Sequence, residues 1–219
     1  MAGRRRSTAR PLEWVLALLG LVCLVWYDVN TYQAIRYQRR QALELERAME
    51  RAKLETPAPA PPDTASNSAS TPENPTIERS IPSRNSKGDH QLIGRLEIPR
   101  LGLSVMVVDG DDDATLKVAA GHLPDTPLPW EFGNSAVAGH RDSFFRPLSQ
   151  VKMNDNLRLV TPHGEFHYVV SSMRIVKPDD LSVLAQNGRS ALTLVTCYPF
   201  SYVGRAPKRF IVHADHVPS

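Results

Sequence analysis

Hydrophobic and polar positions divide this 219-residue chain into stretches of different period. Residues 14–27 (WVLALLGLVCLVWY) are apolar and uncharged, bracketed by Glu13 and Asp28. As a helix these fourteen residues rise about 21 Å, short of the ~30 Å hydrocarbon core of a bilayer, and Leu12 and Val29 lengthen the run. Trp14, Trp26 and Tyr27 stand where interfacial aromatics anchor a span. Leu45, Met49 and Ala52 then recur at helical spacing among Gln, Arg and Glu, which predicts a helix continuing over residues 30–55. A self-associating coiled coil has too few heptads there.

Residues 56–90 change character. Seven prolines are spread among Ser, Thr, Asn and Ala with no aromatic residue. Such a stretch cannot bury enough apolar surface to offset its chain entropy and reads as a linker, stiffened by proline. It is expected to hold the next domain some tens of ångströms from the membrane. From Gln91 onward the period shortens to two. Strands are predicted at 92–98, 104–108, 135–138, 157–161, 165–176, 192–196 and 210–214. Turn signals such as Asp109-Gly110, Pro162-His163-Gly164 and Asn187-Gly188 separate them. Short helices are expected at 114–119, 145–150 and 179–184. The fold class is mainly β, a sandwich or a barrel, with no internal repeat.

Charge refines this division. Arg4, Arg5, Arg6 and Arg10 give a basic head over residues 1–10, whereas residues 91–219 carry 13 Lys/Arg against 13 Asp/Glu. The formally neutral domain lends no support to nucleic-acid binding. A cleaved signal peptide would need a small-x-small site after the apolar run, and Trp26-Tyr27-Asp28-Val29-Asn30 offers none. Val22 before Cys23 excludes a lipoprotein box. The run is therefore an uncleaved anchor, placed at residues 11–29. Arg36, Arg39 and Arg40 beyond it nearly balance the head, so charge alone gives only a slight bias toward an inside N-terminus.

Cys23 lies in that anchor, which leaves Cys197 a free thiol in the folded domain, either inert core or nucleophile. Cys197 ends the segment Thr193-Leu194-Val195-Thr196-Cys197, and Arg209 opens Arg209-Phe210-Ile211-Val212 twelve residues later. His140 follows the apolar stretch Ser135-Ala136-Val137-Ala138-Gly139 at a strand end. A thiol needs a base or an imidazolium partner, and a tetrahedral intermediate needs a donor for its oxyanion. Cys197, His140 and Arg209 together supply nucleophile, acid/base and anion stabiliser. Taken alone, such a trio is a weak signal.

The segment Thr193–Cys197 with Arg209, and Gly139-His140-Arg141-Asp142-Ser143-Phe144-Phe145, resemble the cysteine and histidine motifs of sortases, in that family's order. Phe145-Arg146-Pro147-Leu148 and Tyr198-Pro199 bring the likeness nearest to class D. The resemblance covers about residues 91–214 and implies an eight-stranded sortase-type β-barrel with a catalytic domain at 91–219. It implies a cysteine transpeptidase: Cys197 cleaves an LPxTG-like C-terminal sorting signal after Thr, His140 protonates the leaving amine, and Arg209 stabilises the oxyanion. A thioacyl-enzyme then passes its acyl group to an amine on a cell-wall precursor or a pilin-like protein. Thr196 matches the family's Thr before the nucleophile and is given a supporting part in positioning substrate. The likeness also implies a single-pass protein of the cytoplasmic membrane with residues 28–219 outside. Two alternatives share these residues: a thiol protease using water as acceptor, and an inactive anchored barrel that binds peptides or wall components.

Other features have plainer readings. His122 is expected to make a structural hydrogen bond, is named with Thr196 as a supporting, substrate-positioning residue, and stands second to His140 as acid/base. His213 and His216 have H-x-x-H spacing without the ligands that would complete a metal site. Asp109-Gly110-Asp111-Asp112-Asp113 lacks the spacing and closing Glu of an EF-hand and suits a turn into a helix N-terminus. No metal or other cofactor is called for, although some sortases bind calcium through acids of other loops, which keeps calcium open. Arg141 and Asp142 either orient the histidine loop or form a solvated pair. Residues 178–190 correspond to the family's loop over the sorting signal.

Overall fold

The computed structural model describes residues 9–55, 91–186, 188–202 and 204–218. The segment 56–90, read above as a linker and including His90, and most of the basic head lie outside the described residues. Eight strands close into a barrel in the order β1-β2-β3-β4-β7-β8-β6-β5. They are β1 (Leu92–Ile98), β2 (Leu103–Asp109), β3 (Ala120–His122), β4 (Asn134–Gly139), β5 (Asn156–Thr161), β6 (Gly164–Val176), β7 (Ala191–Tyr198) and β8 (Lys208–Val217). All seven expected strands are present. The unpredicted one is β3, which pairs parallel to β2 and antiparallel to β4. It has only three residues, too few for an alternation to be read.

Closure buries alternate residues of every strand in one core that includes Leu96, Val105, Phe145, Leu159, Leu192 and Val212. Between β2 and β3 lies the short helix α2 (Asp113–Val118). Asp112 caps it: its carboxylate accepts from the backbone N–H of Ala114 and Thr115 and from the Thr115 hydroxyl. The acidic run is thus a helix start, as its pattern predicts. The other two expected helices are single 3-10 turns at Arg146–Gln150 and Leu181–Leu184. Arg100 grips the buried carboxylate of Asp155 through Nε and, at 2.6 Å, through Nη2, tying the turn after β1 to the turn before β5. That pairing holds the Asp155 carboxyl below the usual carboxylate range.

One continuous helix, α1 (Ala9–Glu55), precedes the barrel. Its 47 residues span about 70 Å, and by length and composition it could cross a membrane. Its later turns pack on the barrel. Leu45 is only 1% exposed against Met106 and Val160, with Ala42, Met49 and Leu92 around it. Burial of one leucine stabilises the contact by about 1.5–3 kcal/mol. Gln38 bridges α2 and β2, donating to the Val118 carbonyl at 2.6 Å and accepting from the Met106 N–H at 2.8 Å. The stripe at Leu45 and Met49, read as a helix face, docks on the barrel and brings it alongside α1.

Candidate active site

Two parallel strands and one antiparallel strand build the site. In the β4–β7 pairing Gly139 lies opposite Thr196, so the next residues, His140 and Cys197, leave neighbouring strands at the same end. In the β7–β8 pairing Cys197 lies directly opposite Arg209. Side chains directly opposite on an antiparallel pair share one face of the sheet. The three candidate residues therefore stand in a row across β4, β7 and β8. All three line one groove of about 370 Å³. That volume falls in the usual range for ligand sites.

Each side chain has a local reason for its place. Burial alternates along the end of β7: Thr196 is 2% exposed, whereas Cys197 is half-buried and faces the groove. The Thr196 hydroxyl donates to the Gly139 carbonyl at 2.7 Å, pinning the strand end before Cys197 to the strand end before His140. Its hydroxyl is committed to the backbone, so Thr196 sets the spacing of the two neighbours. Arg209 has one guanidinium nitrogen, Nη1, on the Lys208 carbonyl at 3.1 Å. Among the described residues no carboxylate pairs with it, although Asp111, Asp113 and Asp180 line the same groove. A half-buried guanidinium facing a groove without an acidic partner can receive an anion.

The segment after β6 forms the far wall, with Pro178, Leu181 and Leu184 lining the groove. Asp180 caps its turn, accepting from the N–H and hydroxyl of Ser182, which hold its carboxyl below the ordinary range. This wall is tied to the start of β4. The Asn134 side chain donates to the Val183 carbonyl, and the Gln186 side chain accepts from the Asn134 N–H at 2.6 Å. The opposite rim is held by Arg141, which is buried. Its Nη2 donates to the carbonyls of Tyr202 at 2.6 Å and Gly204 at 3.0 Å, fastening the β7–β8 connection to the turn after His140. Arg141 thus orients the loop, while Asp142 is exposed and forms no ion pair with it among the described residues. The partners of Arg141 are backbone carbonyls, which carry no signature in the sequence.

His122 is not on the groove. It is completely buried, with Nδ1 3.3 Å from Asp109 and Nε2 3.1 Å from the Pro127 carbonyl. Its ring is held by these contacts and does not line the groove of Cys197. His213 is bound through Nδ1 to the Thr193 hydroxyl at 2.9 Å, while His216 meets the Tyr168 ring edge-on at 5.4 Å. The two are engaged separately.

A barrel of this order, with a thiol, an imidazole and a guanidinium at adjacent strand ends, defines a class. The sortase domain model matches residues 96–217, and the chain belongs to the sortase family. Sortase D of Bacillus subtilis (strain 168) is 41% identical over 128 residues, covering 58% of this chain and 65% of that protein. Sortase A of Bacillus anthracis is 30% identical over 131 residues, 58% of this chain and 60% of its own length. The chain thus matches a little under two thirds of these relatives. Among solved structures, the sortase D5 transpeptidase of Clostridium perfringens aligns with a TM-score of 0.54 at 28% identity, over 61% of this chain and 82% of that one. Sortase C-1 of Actinomyces oris aligns with a TM-score of 0.54 at 31% identity, over 58% and 75%. The likeness to class D expected from the histidine and cysteine segments agrees with the similarity to Sortase D.

Proposed function

We propose that this chain is a membrane-anchored cysteine transpeptidase that cleaves an LPxTG-like C-terminal sorting signal after Thr. The observation that carries this is the row of His140, Cys197 and Arg209 across β4, β7 and β8 in one groove. The Cys197 sulfur attacks the Thr carbonyl carbon while the N–H donors of Arg209 receive the developing oxyanion. Collapse of that intermediate breaks the C–N bond, and His140 gives its proton to the departing amine. A thioester on Cys197 remains. An amine then attacks the same carbon, His140 takes its proton, and the thiol leaves. Thr196 and Arg141 act through the others, by fixing the strand ends and the loop.

Residues 11–29 would anchor the protein in the cytoplasmic membrane, with the barrel outside. Family membership and the long apolar helix support that arrangement. The donor is then an exported protein bearing a sorting signal, and the acceptor an amine of a cell-wall precursor or pilin-like protein. The test is to incubate the protein with an LPxTG-type peptide library and a small amine and to read products by mass spectrometry. An amine adduct at the Thr carbonyl, absent in Cys197→Ala, is the expected result. Cleavage with no adduct would favour the hydrolase, and no reaction would favour a binding module.

A further inference from the structure

A second cavity, of about 710 Å³, meets His140 from the side of α1. One helical stripe of α1 explains it. Gln38, Ala42, Leu45 and Met49, at i, i+4, i+7 and i+11, lie on the barrel. The same stripe continued downward is Tyr27, Thr31, Ala34 and Ile35, and it lines the open cleft. There the helix parts from the barrel, and Tyr27 and Ile35 are left exposed. The barrel side of the cavity is lined by Lys117, Asp142, Ser143, Phe144 and His140. His140 also lines the groove of Cys197, so one imidazole borders both spaces.

We propose that this cleft is the acceptor site: the amine that resolves the thioester reaches His140 between α1 and the histidine loop, carried on an anionic group. The inference rests on the transpeptidase reading above. Its occupant is argued from charge and position. Asp142 is an exposed acid beside His140, suited to holding an ammonium. Lys117 and Arg39 are exposed cations on the same cleft, and among the described residues neither has an acidic partner. A bare amine would find no use for them, whereas an amine on a phosphate or carboxylate carrier pairs with both signs. The cleft also begins at Tyr27, where the apolar run ends, so a carrier lying at the membrane surface enters without crossing the barrel. In the reaction the ammonium releases one proton to water. The nitrogen then bonds to the thioacyl carbon, the C–S bond breaks, and the second proton passes through His140 to the sulfur. α1 is thereby a wall of the active site as well as an anchor.

The full-length protein in lipid nanodiscs, loaded with a sorting peptide, tests this with two probes that differ only in the anionic group, phosphoethanolamine and ethanolamine. The partition between amide and free acid is read at a series of amine concentrations. The wild type is expected to prefer phosphoethanolamine by about two- to fivefold, the reach of an exposed charge pair. Lys117→Glu should erase or invert that preference. Ala34→Trp, which fills the cleft, should raise the KM for both amines by about tenfold, equivalent to about 1.4 kcal/mol. Peptide KM and the hydrolysis rate should not move in either variant. Unchanged amine KM values in both variants, with hydrolysis intact, would overturn the acceptor site and leave the transpeptidase standing. Equal use of the two probes by the wild type would overturn the anionic carrier. A wild type that forms no thioester would remove the transpeptidase reading and this proposal with it.

Discussion

Gly139 ends β4 just before His140, and no side chain fits there. A Cβ would lie 2.7 Å from Cδ2, 2.8 Å from Cγ and 3.0 Å from Cε2 of Phe145. Carbon atoms in contact stand about 3.5–4.0 Å apart, so the ring or the strand end must yield by about 1 Å. The ring is completely buried in the barrel core, and the Phe145 N–H bonds the His140 carbonyl at 3.1 Å, so movement of either reaches the histidine. Overpacking of this kind costs about 1–3 kcal/mol. A catalytic group displaced by 1 Å costs up to about a hundredfold in rate. Gly139→Ala should therefore lower the urea midpoint and reduce kcat/KM for thioester formation by about ten- to a hundredfold. Phe145→Leu alone should cost about 1–2 kcal/mol through the cavity it leaves. The double variant should recover both stability and rate, with a coupling of about 0.5–3 kcal/mol. Strictly additive effects would refute the clash as the cause. Lost stability with full activity would show that the ring gives way and His140 stays.

Further outcomes follow from the contacts. Arg209→Ala should reduce kcat by about 10²–10³ if its guanidinium meets the oxyanion, and Cys197→Ala should form no thioester detectable by intact-mass analysis. Thr196→Val, which keeps the shape but loses the bond to Gly139, should cost about 1 kcal/mol in denaturation, and Thr196→Ser should restore most of it. Asp155, 6% exposed and paired with Arg100, has a carboxyl held below its unfolded value. Its contribution is therefore complete above an unfolded pKa of about 3.9 and is lost as pH falls through the lower folded value. Asp155→Asn should be less stable at neutral pH and show a flatter acid limb in pH-dependent unfolding. Leu45→Ala should loosen α1 from the barrel, raising hydrogen exchange over residues 38–49 while the barrel's own urea midpoint stays within experimental error.

Strands with clear alternation were legible to within a few residues, because one face of each meets the barrel core. β3 was not. Ala120-Gly121-His122 follows a helical turn and is held by pairing with β2 and β4, the strands before and after it, rather than by a pattern of its own. The three site residues could be named because the segments around Cys197, Arg209 and His140 resemble sortase motifs, the trio alone being a weak signal. Their mutual register could not, since the β4–β7 pairing joins residues 57 apart, as in the Thr196–Gly139 bond. Arg141 showed its charge, while its partners are backbone carbonyls without a sequence signature. The helix α1 was legible, but its docking on the barrel was not. Its stripe was visible, yet its partner lies beyond the segment 56–90, and Gln38, the residue that bridges Val118 and Met106, looks like any surface glutamine.

The topology explains why a cysteine at this position can face a groove at all. Side chains alternate along a strand, so a slip of one residue in β7 would turn Cys197 into the core and Thr196 outward. Three features resist that slip. Thr196 is fixed by its hydroxyl on Gly139; Thr193, three residues earlier, donates to Asn134 at 2.7 Å; and Leu192 and Leu194 fill the core. The first two bonds run from β7 to β4, the strand that ends before His140. The same contacts that set the register of β7 therefore set the relation of thiol to imidazole. Arg209 enters through the pairing of β8 with β7, so its place depends on the same register. Fold stability and site geometry are here two consequences of one strand alignment, and substitutions at Thr193 or Thr196 should disturb both together.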